Sequence, residues 1–180
     1  MEAANENFPF RPSDMDRETF VLNLGGVYEH SPWVAEALFK SGLTDEHDSA
    51  VGLHAAMRVA VDETDRHRKL DILRAHPDLA GRLAILGTLT AESNEEQASA
   101  GLDRCTPEEY ATFQSLNERY KEKFGFPFIL AVRGLDRQEI LRNFRERIDN
   151  DPETEFAEAL KQVHRIAFLR IANLFRQNNR

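Results

Sequence analysis

Phe156, Leu160, Val163, Ala167, Ile171 and Leu174 recur at steps of three and four, which places them on one face of a helix. No other feature limits the fold so much, because a helix with such a face has to bury it against other elements. Composition makes those elements helices as well. The chain has 20 alanines and 19 leucines against 8 valines, 7 isoleucines and 8 threonines, so residues suited to helices outnumber those suited to strands. Ser31-Pro32, Thr106-Pro107 and Asp151-Pro152 each set a capping oxygen before a proline, a pairing that marks a helix start. Gly25, Gly42 and Gly125 stand where C-terminal caps belong. Helices are predicted over 14–24, 32–41, 48–63, 66–75, 78–87, 94–101, 107–124, 137–149 and 152–177. The expected fold is all-α, a bundle of about nine helices. One stretch breaks the pattern. Phe126-Pro127-Phe128-Ile129-Leu130-Ala131-Val132 follows a glycine stop and contains a proline, so 126–132 is expected as a buried extended segment. No fixed repeat and no long linker divides the 180 residues, so one domain over 1–180 is expected, with 1–12 as a flexible tail.

Charge and cysteine content narrow the function. The net charge of −8 offers no basic surface to a phosphate backbone or an anionic membrane, so neither nucleic acid nor membrane is an expected partner. Cys105 is the only cysteine, which rules out an intrachain disulfide and a Cys-x-x-Cys zinc site. The acidic start and the Gln177-Asn178-Asn179-Arg180 ending match no targeting signal, and a cytoplasmic location is expected. The six histidines, His30, His47, His54, His67, His76 and His164, show no zinc-ligand spacing, and no metal site is expected. There is also no Gly-rich phosphate loop, dinucleotide fingerprint or Gly-x-Ser-x-Gly elbow. Chemistry by side chains alone remains.

Three places could carry it. His76 precedes Pro77, which disfavours helix at His76, while Asp78 can cap the next helix; the imidazole sits at a corner between helices. It is either a hydrogen-bonded interhelical residue or a group placed for proton transfer. Ser93-Asn94-Glu95-Glu96-Gln97 contains Ser-x-x-Glu, the pattern of a capping box. Taken alone, a cap explains Glu96 better than catalysis does, yet the same first turn, with Glu96 and Gln97 as neighbours, would offer backbone N–H groups to an anionic ligand, and the two readings can coexist. Arg170 lies three residues after Ala167 on the apolar stripe. A guanidinium turned towards a core needs an anion, either an internal carboxylate or a ligand, unless its head reaches out to water. Arg165 falls off the stripe and is expected in solvent.

Taken in order, these blocks resemble one family. Glu29-His30-Ser31-Pro32-Trp33-Val34-Ala35-Glu36, His76-Pro77-Asp78-Leu79-Ala80-Gly81, Ser93-Asn94-Glu95-Glu96-Gln97 with Ala100-Gly101-Leu102, Leu116-Asn117 through Tyr120, Phe124-Gly125-Phe126-Pro127-Phe128-Ile129 and Arg165-Ile166-Ala167-Phe168-Leu169-Arg170 are similar in order and spacing to 2-oxo-4-hydroxy-4-carboxy-5-ureidoimidazoline (OHCU) decarboxylases. The resemblance runs from about Phe20 to Leu174. It implies an all-helical enzyme without cofactor, commonly a homodimer, acting on a small molecule in the last step of urate breakdown, which yields (S)-allantoin.

The resemblance also implies site roles. His76 matches the family's catalytic histidine, and Glu96 its essential acid, which would polarise His76 or take the hydroxyl proton. Gln97 would meet amide-like ring and ureido groups with both donor and acceptor. Arg170 would pair with substrate oxygens. Pro77, Ser93 and the backbone of Phe128, Ile129, Leu130, Ala131 and Val132 would complete the ligand shell, an apolar wall there favouring loss of a desolvated carboxylate. Two rivals stand beside this expectation: a non-catalytic helical module with an exposed histidine, and a relative acting on another ureido or hydantoin compound. Neither Cys105 nor the acidic N-terminus acquires a role.

Overall fold

In the computed structural model, residues 10–80 and 90–178 are described. They form eight α-helices and no strand: α1 (Arg17–Leu24), α2 (Trp33–Ser41), α3 (Ala50–Asp62), α4 (Arg66–Arg74), α5 (Ala91–Ser99), α6 (Pro107–Phe124), α7 (Arg137–Arg147) and α8 (Pro152–Asn178). The all-α expectation holds. The helix expected over 78–87 lies mostly outside the described residues, and its described part, 78–80, is not helical, with a turn at Leu79 and Ala80.

Local chemistry sets most of the boundaries. Thr106 begins α6, its hydroxyl accepting the Glu109 N–H while the Glu109 carboxylate accepts the Thr106 N–H. This reciprocal box satisfies two of the helix's orphan donors. Asp136 and Glu139 do the same for α7, and Asp151 accepts the N–H groups of Glu153 and Thr154 at the start of α8. Ser31 departs from the expectation. Its hydroxyl bonds back to the Glu29 carbonyl, and α2 opens from Pro32 without a side-chain cap. α1 starts at Arg17 rather than near 14, because Pro12–Asp14 forms a separate 3-10 turn and Asp16 supplies the cap.

Contacts group the chain into two compact units, Met1–Arg66 with Ala167–Arg180, and His67–Ile166. In the first, α1 packs on α2 and α2 on α3, around Phe20, Leu24, Val34, Leu38, Leu53, Met57 and Ile171. Phe10 is buried edge-on against Phe175 at 4.9 Å, and Pro12 is buried, so these two residues of the expected tail are packed, Arg11 between them is exposed, and 1–9 lie outside the described residues.

The second unit is built around aromatic rings. Phe128 stacks on Phe144 with centroids 3.9 Å apart, and the buried Tyr120 ring meets Phe124, Phe126, Phe128 and Phe144. Such offset and edge contacts stabilise the core beyond area burial alone. α6 ends at Gly125, whose φ of +77° costs glycine little and other residues more. The chain then enters 126–132, buried and without regular secondary structure, as the sequence indicates. The α8 stripe is buried at Phe156, Val163, Ala167 and Ile171 and half-buried at Leu160 and Leu174.

Candidate active site

His76 follows the last turn of α4 and is 9% exposed. Its Nδ1 lies 3.0 Å from the Ile72 carbonyl oxygen. A carbonyl can only accept, so Nδ1 carries a proton and donates it, which leaves Nε2 as the ring nitrogen that can exchange a proton. The corner therefore fixes a tautomer as well as a position. Pro77 is half-buried beside it.

Side chains from two helices hold the turn after Pro77. The Gln97 Oε1 accepts the Ala80 N–H at 3.1 Å, and the Gln97 Nε2 donates to the Asp78 carbonyl at 3.4 Å. From α6, Gln114 donates to the Ala80 carbonyl at 3.2 Å, Asn117 to the Leu79 carbonyl at 3.0 Å, and Lys121 pairs with the Asp78 carboxylate at 2.7 Å. Ala80 has φ +47°, a left-handed conformation that an alanine adopts only when its surroundings enforce it. These bonds supply that enforcement.

The start of α5 corrects the sequence reading. Thr90 is the N-cap and accepts the Ser93 N–H at 3.3 Å, so Ser93 is the third helical residue and Glu96 lies beyond the first turn. The expected Ser93–Glu96 capping box is not made, because a hydroxyl three residues earlier already caps the helix. Ser93 and Gln97, four residues apart, are buried on one face at 5% and 4% exposure; Glu96 is half-buried beside them. The first-turn anion site expected for Glu96 and Gln97 thereby loses its basis.

The segment 126–132 has its own anchors. Arg147 donates to the Ile129 carbonyl at 2.7 Å and through Nε to Glu155 at 3.0 Å, with its guanidinium over the Phe128 ring at 4.5 Å. Glu155, fully buried, also accepts from Tyr120 and from Asn150. Burial, then the bond to Glu155, pushes the Tyr120 hydroxyl well above its ordinary value. Gln162 accepts the Ala131 N–H at 3.1 Å. At the head of the segment, Arg74 donates to the Gly125 carbonyl at 3.1 Å, so the residues that lead into His76 meet those that lead into Phe126.

Arg170 belongs to the first unit. It pairs with Glu29 at 2.8 Å, both side chains buried, and its Nη1 faces the Gly26 and Val27 carbonyls at 3.3 and 3.5 Å. The internal carboxylate that a core-facing guanidinium calls for is thus Glu29. Arg165 is exposed, as expected. Burial, with Glu109 adding to it, raises the half-buried Cys105 thiol, which keeps it protonated and a poor nucleophile. Among the described residues no group of three or more His, Cys, Asp or Glu side chains is placed to hold a metal ion, and no helix is long and apolar enough to cross a membrane.

Sequence reasoning gave no role to Gln114, Asn117, Lys121, Arg147, Glu155 or Gln162. A signal for the first three existed: they share one face of α6 at steps of three and four, and Asn117 sits among buried Phe113, Leu116 and Tyr120. Asn117 Oδ1 is buried without a hydrogen-bond partner, a cost of roughly 1–3 kcal/mol.

Comparison with known proteins gives a consistent result. The family described as OHCU decarboxylase matches residues 13–172. The chain is 45% identical over 159 residues to the 2-oxo-4-hydroxy-4-carboxy-5-ureidoimidazoline decarboxylase of Halalkalicoccus jeotgali, covering 88% of this chain and 86% of that protein. It is 44% identical to the protein of the same name from Haloferax volcanii, covering 89% and 92%. Among solved structures it is similar to an (S)-allantoin synthase, with a TM-score of 0.71 and 35% identity, over 91% of this chain and 52% of that longer one.

Proposed function

The chain belongs to the OHCU decarboxylase family, and from that premise we propose that it converts OHCU to (S)-allantoin and carbon dioxide, closing urate degradation. The observation that carries the mechanism is the buried His76 ring, whose Nδ1 is committed to the Ile72 carbonyl at 3.0 Å.

The substrate carries its carboxylate on a carbon that also bears a hydroxyl and adjoins a ring C=N bond. As the carbon–carboxylate bond breaks, its electron pair moves into that C=N unit and the ring nitrogen takes a proton. The imine is the electron sink, so the reaction needs no cofactor. What remains is an enol. Its hydroxyl loses a proton while the neighbouring carbon gains one, and the face of that protonation sets the S configuration.

In this reading Nε2 of His76 is protonated before the step while Nδ1 stays on the backbone; it delivers its proton to carbon, is left with its lone pair, and is recharged by the proton released from the hydroxyl. Glu96 takes the hydroxyl proton. Gln97 spends one acceptor and one donor contact on the turn at 78–80, and its remaining amide lone pair and N–H serve the ureido or ring amide groups. Ser93 lies on the same face as Gln97. Pro77 and residues 128–132 form the wall against which the carboxylate is desolvated. Arg170, with Glu29 balancing its charge, binds substrate oxygens.

The family match through residues 13–172 supports a single OHCU decarboxylase-like domain over 1–180. The enzyme works as a cytoplasmic homodimer, and Leu22, Val51 and Val59, large apolar side chains left exposed, are available to a second copy; sedimentation of the purified chain tests that assignment. The activity itself is tested by adding the protein to freshly generated OHCU and following absorbance and circular dichroism. Accelerated decay to optically active (S)-allantoin, unchanged by EDTA, is expected. Activity that EDTA removes and a metal restores contradicts the cofactor-free mechanism, and no acceleration contradicts the function.

A further inference from the structure

Residues 128–132 are assigned above to the substrate wall, yet nothing within the segment holds its backbone in place. It has no helix or strand ladder, so its buried N–H and C=O groups need partners from elsewhere. One such partner is Gln162 on α8, which is 7% exposed. Its Oε1 accepts the Ala131 N–H at 3.1 Å, and its Nε2 donates to Glu158 Oε1 at 2.7 Å. Glu158 in turn pairs with Lys161 at 3.2 Å.

Polarity along this chain of bonds runs one way. The carboxylate can only accept, so it orients the Gln162 amide with nitrogen outward and oxygen toward Ala131. Without Glu158 the amide has no such bias. Without Gln162 the Ala131 N–H is buried unpaired, and the segment must shift to find another acceptor.

We propose that Gln162, oriented by Glu158, is a positioning residue for substrate binding: it fixes the Ala131 peptide so that the 128–132 backbone presents its shape to the ligand. The proposal rests on the assignment of 128–132 to the ligand shell. Gln162 touches no reacting atom, so its removal acts on binding more than on chemistry.

The test uses the full-length protein, OHCU kinetics and amide hydrogen exchange at Ala131. Gln162→Met keeps length and loses the acceptor. It is expected to raise KM about fivefold or more, with kcat within about twofold, and to speed Ala131 exchange. Gln162→Glu sets two carboxylates against each other and is expected to raise KM likewise. The double variant Glu158→Gln with Gln162→Glu rebuilds the bonds with donor and acceptor exchanged, and is expected to return both KM and exchange towards the wild-type values. A Gln162→Met protein that melts lower but keeps its KM overturns the proposal while the decarboxylase reading stands, as does a double variant no better than Gln162→Glu. Wild-type protein without OHCU turnover overturns the decarboxylase reading itself, and this proposal with it.

Discussion

Two irregular stretches carry most of the candidate site, and they are held in different ways. The turn at 77–80 is pinned by neutral amides, Gln97, Gln114 and Asn117, with Lys121 outside them. The segment 126–132 is pinned by a buried ion pair, Arg147 with Glu155, joined by Tyr120 and Asn150. Apolar residues surround the second stretch, where an unpaired charge is costly. A single neutral hydrogen bond is a smaller stake. The turn beside the imidazole is therefore cheaper to disturb than the wall that faces it in the proposed mechanism.

Cutting the ion pair should give the largest loss of stability. Arg147→Ala leaves Glu155 buried without its cation and is expected to cost about 3–5 kcal/mol, a fall in melting temperature of roughly 6–20 °C. A shift of only a degree or two in calorimetry would erase the contrast between the two stretches.

Glu96→Gln separates chemistry from structure on α5. With Thr90 as the cap, Glu96 has no capping duty to lose, so turnover should drop by about 10²-fold or more while the melting temperature holds. Near wild-type rates across several pH values would remove Glu96 from the mechanism.

Gln97→Leu strips the turn of two contacts and leaves the Ala80 N–H unpaired. The expected destabilisation is about 1–3 kcal/mol, less than for Arg147→Ala; an equal or larger loss in denaturant titration would reverse the comparison.

The smallest effect concerns pH. Burial pushes the Glu158 carboxyl up, but the hydrogen bonds from Gln162 and Lys161 outweigh it and hold it below its ordinary value of 4.5. A carboxyl depressed on folding stabilises above its unfolded pKa and loses that contribution as pH falls through the folded one. The melting-temperature gap between wild type and Glu158→Gln should be full near pH 6 and shrink below about 4.5, amounting to no more than about 1 kcal/mol. A gap independent of pH would show that the charge contributes nothing.

Legibility follows the kind of force involved. The α8 stripe, the Thr106 and Asp151 caps and the buried run at 126–132 can be read from the sequence because apolar spacing and capping are local. The start of α5 cannot, since Thr90 and Ser93 are both competent caps and the choice depends on what the helix packs against. The partners of 77–80 and 126–132 are invisible for another reason. Arg147 and Glu155, or Ala131 and Gln162, meet only once elements apart in sequence are packed, and nothing in a charged residue's neighbours announces that its partner is a backbone carbonyl. Local pattern singles out His76, Glu96 and Gln97 as candidates, but their roles come from family resemblance rather than from spacing.

In the proposed mechanism His76, fixed through Nδ1, transfers the stereochemistry-setting proton from Nε2. Comparing His76→Ala with the wild type, by circular dichroism of the allantoin formed together with a melting curve, tests this most directly. The expected result is a rate lower by about 10²-fold or more, little optically active product and a retained helical signal. A variant that still makes (S)-allantoin near the wild-type rate, or one whose helices collapse, would contradict it.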